Sequence, residues 1–440
     1  MQLNRHQLPT ICLTIAIASW LLFMGRVTAQ VIQALYPVSW LPRFNLWHSG
    51  LLPYPALLSC QLFILVAMGK QLLDSMYNRW TSPAWPKINI TKLGLIYFSV
   101  ALLRLCLSLV VDTSSELLGS TLPNIFHLIL AIGVTATGLL RNQAEFESFK
   151  YFFYPIALLA GFTAYFALSK FIESPAIAAL WVAVSLAVVL SACEQVMTHR
   201  DEWKPTLAEW LGDLKYMLWI QGILPKAMAF LSLTFLVSFS TENPLVADSI
   251  WPHHLPLVVQ FILLLLVIDF FRYWLHRASH TYSALWRLHA IHHSSTKLNL
   301  INVGKFHPVE KALQFVLDTL PFLLIGVSQQ VLALYFLFYA INGFFQHCNI
   351  DVRLGWLNYI ISGPELHRWH HSRKKQESDH NFGNNLIIWD LFFKTFYLPK
   401  RRNVKQLGLL NPNYPQSFTQ QMFAPLHKNL DKKNDNDIEI

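Results

Sequence analysis

Long stretches of this chain almost lack charge, and that limits the folds open to it more than any other feature. The runs at 93–111, 122–140, 151–168, 176–193 and 255–275 are each close to 20 residues and overwhelmingly apolar. Runs of that length match the hydrocarbon thickness of a bilayer and read as transmembrane helices. Adding weaker candidates gives about ten spans, near 11–25, 54–69, 93–111, 122–140, 151–168, 176–193, 227–240, 255–275, 312–327 and 331–345. The last two are short, share a tight connection at Ser328-Gln329-Gln330, and would form a hairpin whose first arm Pro321 bends. The fold class expected is all-α: a polytopic membrane bundle carrying a histidine-rich helical cap that holds two metal ions.

Charge distribution gives this bundle a direction. Only 13% of residues are charged, about half the share of an ordinary soluble chain. The net charge of +9 therefore comes from Lys and Arg in the loops between spans, and no nucleic-acid partner is expected. The 70–92, 141–150, 194–226 and 272–311 segments are rich in Lys and Arg, whereas the 112–121 and 241–254 loops have none. This alternation puts both termini and the 272–311 segment in the cytoplasm, with Arg26 and Arg43 as exceptions on the outer side. A bacterial inner membrane or the endoplasmic reticulum would suit it. Val27-Thr28-Ala29 after the first run resembles a signal cleavage site. A retained first helix closes the topology and is the reading adopted.

Four regions follow: a membrane bundle at 1–193, a polar linker with an interfacial helix at 194–222, a chemistry-bearing region at 223–400, and a polar basic tail at 401–440 expected to be disordered. The five cysteines are scattered and form no CxxC pair, which argues for small core residues and against a disulfide framework.

The chemistry is concentrated in histidine. Eleven of 18 histidines lie between His276 and His380. His276 and His280 are four apart; His289, His292 and His293 are related by three and four; His367, His370 and His371 repeat that pattern. Positions i, i+3 and i+4 share one face of a helix, so each cluster can aim its imidazoles at one point. Nitrogen ligands without cysteine suit iron, zinc, copper or nickel but not a structural zinc cluster. Eight ligands exceed what one ion uses, which points to two. The isolated His6, His48, His127, His199, His253, His254 and His427 read as surface or core residues.

These motifs resemble the fatty acid hydroxylase / sterol desaturase superfamily over residues 269–398. The resemblance rests on Asp269-Phe-Phe-Arg-Tyr-Trp-Leu-His276-Arg-Ala-Ser-His280, Leu285-Trp-Arg-Leu-His289-Ala-Ile-His292-His293-Ser, His307-Pro-Val-Glu310, His347-Cys-Asn349, Pro364-Glu-Leu-His367-Arg-Trp-His370-His371-Ser, Asn381-Phe-Gly383 and Trp389-Asp390. It implies a non-haem site of two Fe2+ ions that uses O2 to hydroxylate or desaturate a C–H bond of a fatty acyl, sterol-like or isoprenoid lipid. It also implies His347 as a ninth ligand, against a reading as a capping or buried hydrogen-bonding histidine. Two positions depart from the pattern: Lys305 stands where the family often has Arg, and Lys394 where it usually has Gly.

Around the ligands, Asp269 lies two helical turns before His276 and could accept its Nδ1–H or pair with Arg272. His307, Glu310, Asn349 and Asp390 are weaker candidates for the same supporting role. No catalytic side chain beyond the metals and no cofactor-binding loop is evident: there is no GxGxxG, and His307-Pro308 lacks the glycines of a haem-binding loop. Electrons would come from a separate partner, a ferredoxin or a b-type cytochrome with its reductase, and the lipid would enter from the bilayer. The competing reading is a zinc-dependent membrane hydrolase of lipid amides or esters, which would use fewer histidines and a carboxylate ligand. A metal transporter, with histidines along a pore, ranks lower. No pattern assigns a role to residues 1–193.

Overall fold

The computed structural model describes residues 7–47, 52–76, 89–110, 121–141, 146–240, 250–400, 402–411 and 413–427. Among the described residues the secondary structure is helical, with only three isolated β-bridges. Among the described residues, seven helices are long and apolar enough to cross a membrane. The chain divides into two compact units, Met1–Glu173 and Ser174–Ile440.

The first unit contains α1 (Gln7–Leu35), α2 (Tyr54–Met76), α3 (Ile90–Val110), α4 (Thr121–Arg141) and α5 (Phe146–Leu168), all five of span length. Helices α3 and α4 approach backbone to backbone: a Cβ on Gly94 would come within 2.4 Å of the Thr135 hydroxyl, the small-residue contact that packs helices in lipid. Helix α1 runs ten residues beyond the apolar stretch that announced it, so Arg26 lies inside a helix instead of the expected outer loop. The guanidinium is buried, donates to the Trp47 carbonyl at 3.1 Å, and lies over the rings of Phe23 and Phe126. An internal acceptor and two aromatic faces replace the water it would otherwise seek. His127 is half-buried, with its Nδ1 2.6 Å from the Tyr97 hydroxyl.

The second unit begins with α6 (Pro175–Val196), whose Ser174 cap and first-position Pro175 start it cleanly. Next come α7 (Leu207–Lys215), opened by a Thr206–Glu209 capping box, a π-helical turn over Tyr216–Ile223, and α8 (Leu224–Ser240). Leu207, Leu211, Leu218 and Trp219 are exposed, as an interfacial helix requires. The long α9 (Leu257–Thr281) is the second span of this unit. It is followed by α10 (Ser283–His293), α11 (Pro308–Asp318), α12 (Leu320–Leu324), α13 (Gln329–His347), α14 (Pro364–His370), α15 (Ile388–Phe392) and α16 (Phe418–Phe423).

Among the described residues seven helices are of span length, and the expected count of about ten is not confirmed. The candidate at 227–240 is the 17-residue α8. The candidate at 312–327 is two short helices broken at Thr319, two residues before Pro321, whose missing N–H cannot continue the ladder. The candidate at 331–345 is α13, with thirteen residues between Val331 and His347 buried. It is a core helix packed against α6 and α9; its apolarity serves protein packing.

Of the stretch expected to be a disordered tail, 402–411 and 413–427 are packed onto the fold, and the remainder lies outside the described residues. Val404 and Leu407 are buried against Trp203, Leu298 and Trp369. Phe418 packs edge-on to Tyr216, and the fully buried Gln421 donates to Ser294 and Pro415.

Candidate metal centre

Nine histidines from four elements converge in the second unit. The last turns of α9 supply His276 and His280, α10 supplies His289, His292 and His293, α13 ends on His347, and α14 with its C-cap supplies His367, His370 and His371. They sort into two groups that could each hold an ion: His276, His280, His289, His293 and His370, and His292, His347, His367 and His371. Within each group the ligand nitrogens all lie within 4.8 Å of one another. The sort cuts across the sequence clusters. His292 and His293 are adjacent yet face different groups, as do His370 and His371, because successive helical positions point about 100° apart.

The outer nitrogens settle the chemistry of the inner ones. His276 Nδ1 is 2.8 Å from the Phe382 carbonyl, His370 Nδ1 is 2.9 Å from the His380 carbonyl, and His292 Nδ1 is 3.3 Å from the Lys305 carbonyl. His280 Nδ1 meets Asp379 at 3.0 Å, His289 Nδ1 meets Glu310 at 2.7 Å, and His347 Nδ1 meets the Asn302 side-chain oxygen at 2.8 Å. All six partners are acceptors, so each Nδ1 carries the proton and each Nε2 keeps a lone pair.

Those Nε2 atoms lie against one another or against the Nε2 of His293, His367 or His371. Nε2–Nε2 distances are 3.0 Å for His276–His289, 3.2 Å for His280–His293 and 3.1 Å for His293–His370. In the second group they are 3.0 Å for His367–His347 and 3.1 Å for His371–His292. Between His276 and His289, whose Nδ1 atoms both face acceptors, two lone pairs meet without a proton between them and repel. A cation at the centre turns the repulsion into ligation, and bonds of about 2.1 Å put adjacent ligand nitrogens about 3.0–3.4 Å apart. Burial first, and neighbouring imidazoles second, hold His292, His293, His367, His370 and His371 well below the ordinary histidine range, in the neutral form that ligates. The donor set thus fits two nitrogen-bound ions.

The residues proposed to support this centre divide by what they touch. Glu310, 4% exposed, bonds His289 directly. Asp269 touches no histidine and forms no pair with Arg272: it accepts from the backbone N–H of Asn385 and Leu386 and from the Asn385 side chain, while Arg272 pairs with Asp318 at 3.2 Å. A carboxylate two turns from His276 is too short to reach it, so Asp269 acts on the loop that does. Asp390 accepts from the N–H of Phe382 and Gly383, and burial pushes its carboxyl up to about 6. Asp269 and Asp390 therefore pin the two ends of the 382–386 loop, whose Phe382 carbonyl orients His276. A Cβ on Gly383 would come within 2.1 Å of the Leu386 carbonyl, so only glycine fits there. His307 caps α11 by accepting from the Val309 N–H, and Asn349 brackets Arg200; neither reaches a ligand. Lys394 has φ 60°, the left-handed region in which a glycine is at ease and a lysine is strained.

Sequence reasoning missed Asn302, Asp379 and Glu194. Glu194 accepts from the N–H of Leu300 and Asn349. It ties the segment carrying Asn302 to the segment just after His347. An acid closing the apolar run of α6 was its one signal. Asn302 and Asp379 had none, since helical spacing predicts contacts only within one helix.

Known proteins resemble the chain over the region that carries these histidines. The fatty acid hydroxylase family model matches residues 261–395. Ornithine lipid hydroxylase OlsE of Rhizobium tropici is 32% identical over 282 residues, covering 62% of this chain and 83% of that protein. Alkylglycerol monooxygenases of Xenopus tropicalis and Homo sapiens are 33% and 32% identical over 145 and 147 residues, a third of this chain and 32% of theirs. No solved structure gives a significant match.

Proposed function

The chain belongs to the fatty acid hydroxylase family, and from that premise we propose that it is a membrane-bound di-iron oxygenase that hydroxylates, or less directly desaturates, a lipid C–H bond. That it is a lipid-oxidising enzyme of an integral membrane type follows from the family; the metal, the oxidant and the product are our reading. The observation that carries it is the pair of all-imidazole groups, each with its ligand nitrogens within 4.8 Å of one another. His276, His280, His289, His293 and His370 would hold one ion, and His292, His347, His367 and His371 the other. Two ferrous ions would supply O2 reduction and the oxidising power that breaks an unactivated C–H bond.

The chain's own residues do the rest. Glu310, Asp379 and Asn302 hold the Nδ1 protons of His289, His280 and His347, which aims each Nε2 and makes it a stronger ligand. Phe306 stacks on His292 with ring centroids 4.3 Å apart and an interplanar angle of 13°, which keeps that ring from turning. Phe382 lies edge-on to His276 and His280. Burial of eight of the nine residues, all but the half-buried His276, excludes water that would intercept a reactive oxidant. Neither group contains a carboxylate, the ligand a zinc hydrolase would bring.

By the charge argument the centre faces the cytoplasm, together with both termini, so a soluble or membrane-bound electron donor could reach it. A ferredoxin or a b-type cytochrome with its reductase is the partner class this requires. The test is metal analysis of the purified protein with lipid profiling under ¹⁸O2, comparing wild type with His292→Ala. About two irons per chain and an ¹⁸O-labelled hydroxyl on a lipid are expected. Zinc with O2-independent product formation would overturn the reading.

A further inference from the structure

Helix α11 is built inside out for a membrane protein. Val309, Leu313 and Val316 face outward at 50%, 36% and 45% exposure, while Glu310, Lys311, Gln314 and Asp318 are buried. A helix sequesters its polar face this way when that face lines something polar. Three of the four buried groups have clear duties: Glu310 bonds His289, Gln314 donates to Glu310 at 3.3 Å, and Asp318 pairs with Arg272. Lys311 does not fit the scheme. It is 6% exposed, and its ammonium reaches only neutral groups: Gln314 Oε1 at 3.3 Å, the Tyr339 hydroxyl at 3.3 Å and the Tyr339 ring at 5.2 Å. Among the described residues no carboxylate pairs with it, although Arg272 nearby obtains one.

Other groups in this neighbourhood share the condition. Glu310 Oε2 and the Tyr335 hydroxyl are buried and have no hydrogen-bond partner among the described residues. Tyr335 and Tyr339 stack on successive turns of α13 at 6.3 Å. The ammonium thus lies two side chains from His289, by way of Gln314 and Glu310, and the open carboxylate oxygen is on the Glu310 that bonds His289. A buried cation costs several kcal/mol unless an anion or hydrogen bonds compensate it.

We propose that Lys311, with Tyr339, receives the anionic headgroup of the lipid substrate, and that Glu310 Oε2 accepts from an N–H or O–H of the same headgroup. The ligand class is a lipid with an anionic oxygen group, carboxylate or phosphate, beside a hydrogen-bond donor. The proximity to His289 sets the oxidised carbon close to the head of the lipid, away from the chain end. The proposal rests on the oxygenase reading for what is done to the lipid, but its binding claim stands apart from turnover.

The test uses the full-length metal-loaded protein in nanodiscs under anaerobic conditions, where nothing turns over. Binding of N-oleoylglycine, its methyl ester and dioleoyl phosphatidic acid is measured for wild type, Lys311→Met and Lys311→Arg. Wild type is expected to bind at least one anionic lipid about tenfold or more tighter than the ester, Lys311→Met to lose that preference, and Lys311→Arg to keep part of it. Metal content and melting temperature report whether Lys311→Met is folded; should it not be, the wild-type and Lys311→Arg preferences still decide. No preference in wild type, or a preference intact in Lys311→Met, overturns the proposal. Competition by millimolar inorganic phosphate as strong as by lipid would assign the site to a soluble anion and overturn it too. Anionic-lipid binding without any oxidation in air would sink the oxygenase reading alone.

Discussion

Replacing Asp269 by Asn separates what this carboxylate does from what its position in the helix suggests. Asp269 is fully buried and accepts three hydrogen bonds, two from backbone N–H groups and one from the Asn385 side chain. Bonds to a charged acceptor contribute about 1.5–3 kcal/mol each, so complete loss of the set sets a ceiling of about 5–9 kcal/mol. Asparagine keeps one acceptor oxygen but turns an N–H toward donors, so a loss of about 3–5 kcal/mol is expected. Thermal melts in nanodiscs should show a fall of roughly 10 °C for a unit of this size. The structure adds a local signature. The freed loop carries the Phe382 carbonyl that orients His276, so the five-histidine group should lose its ion first. Metal content should drop toward one ion per chain while the four-histidine group stays filled. A melting temperature within about 2 °C of wild type, below what even 1 kcal/mol would shift, would refute the reasoning. So would loss of both ions together.

Removing the Glu310 carboxylate as Glu310→Ala leaves the buried His289 Nδ1–H without an acceptor; metal affinity should fall about 10–100-fold by chelator competition, with Glu310→Gln in between. Gly383→Ala forces a Cβ against the Leu386 carbonyl, and should cost at least about 2 kcal/mol in melting experiments, because this contact is with backbone. Acidification of chelator-treated protein should destabilise it sharply. The five imidazoles held well below the ordinary range stay neutral in the fold while the unfolded chain takes up protons. The stability they contribute is complete above about pH 6.5 and is lost as pH falls below it, by up to about 1.4 kcal/mol per unit for each. Metal-loaded protein should resist to a lower pH, and equal acid sensitivity of the two forms would count against ligation by these residues.

The membrane class and the histidines were legible in the chain itself. Apolar runs report bilayer thickness, and the i, i+3, i+4 spacing reports a shared helical face; both are local properties. Span count was less legible, because α13 is as apolar as a span yet is buried by its own protein. A hydropathy pattern cannot tell lipid from a protein interior, since both exclude water. Within the expected 401–440 tail, the described part as far as His427 is packed for the converse reason: few apolar residues were enough, because Val404, Leu407 and Phe418 find partners far away in the chain.

At the centre itself the division is sharpest. Sequence alone determined which imidazoles could act together within one helix, and its count of them prompted the expectation of two ions. It could not say that His292 belongs with His347, His367 and His371 while its neighbour His293 belongs with His276, His280, His289 and His370. Nor could it say that Asp269 serves a loop more than a hundred residues away. Spacing along one helix encodes a direction, whereas grouping depends on where four separate elements meet. Only the tertiary structure, through packing and buried hydrogen bonds between distant residues, decides that.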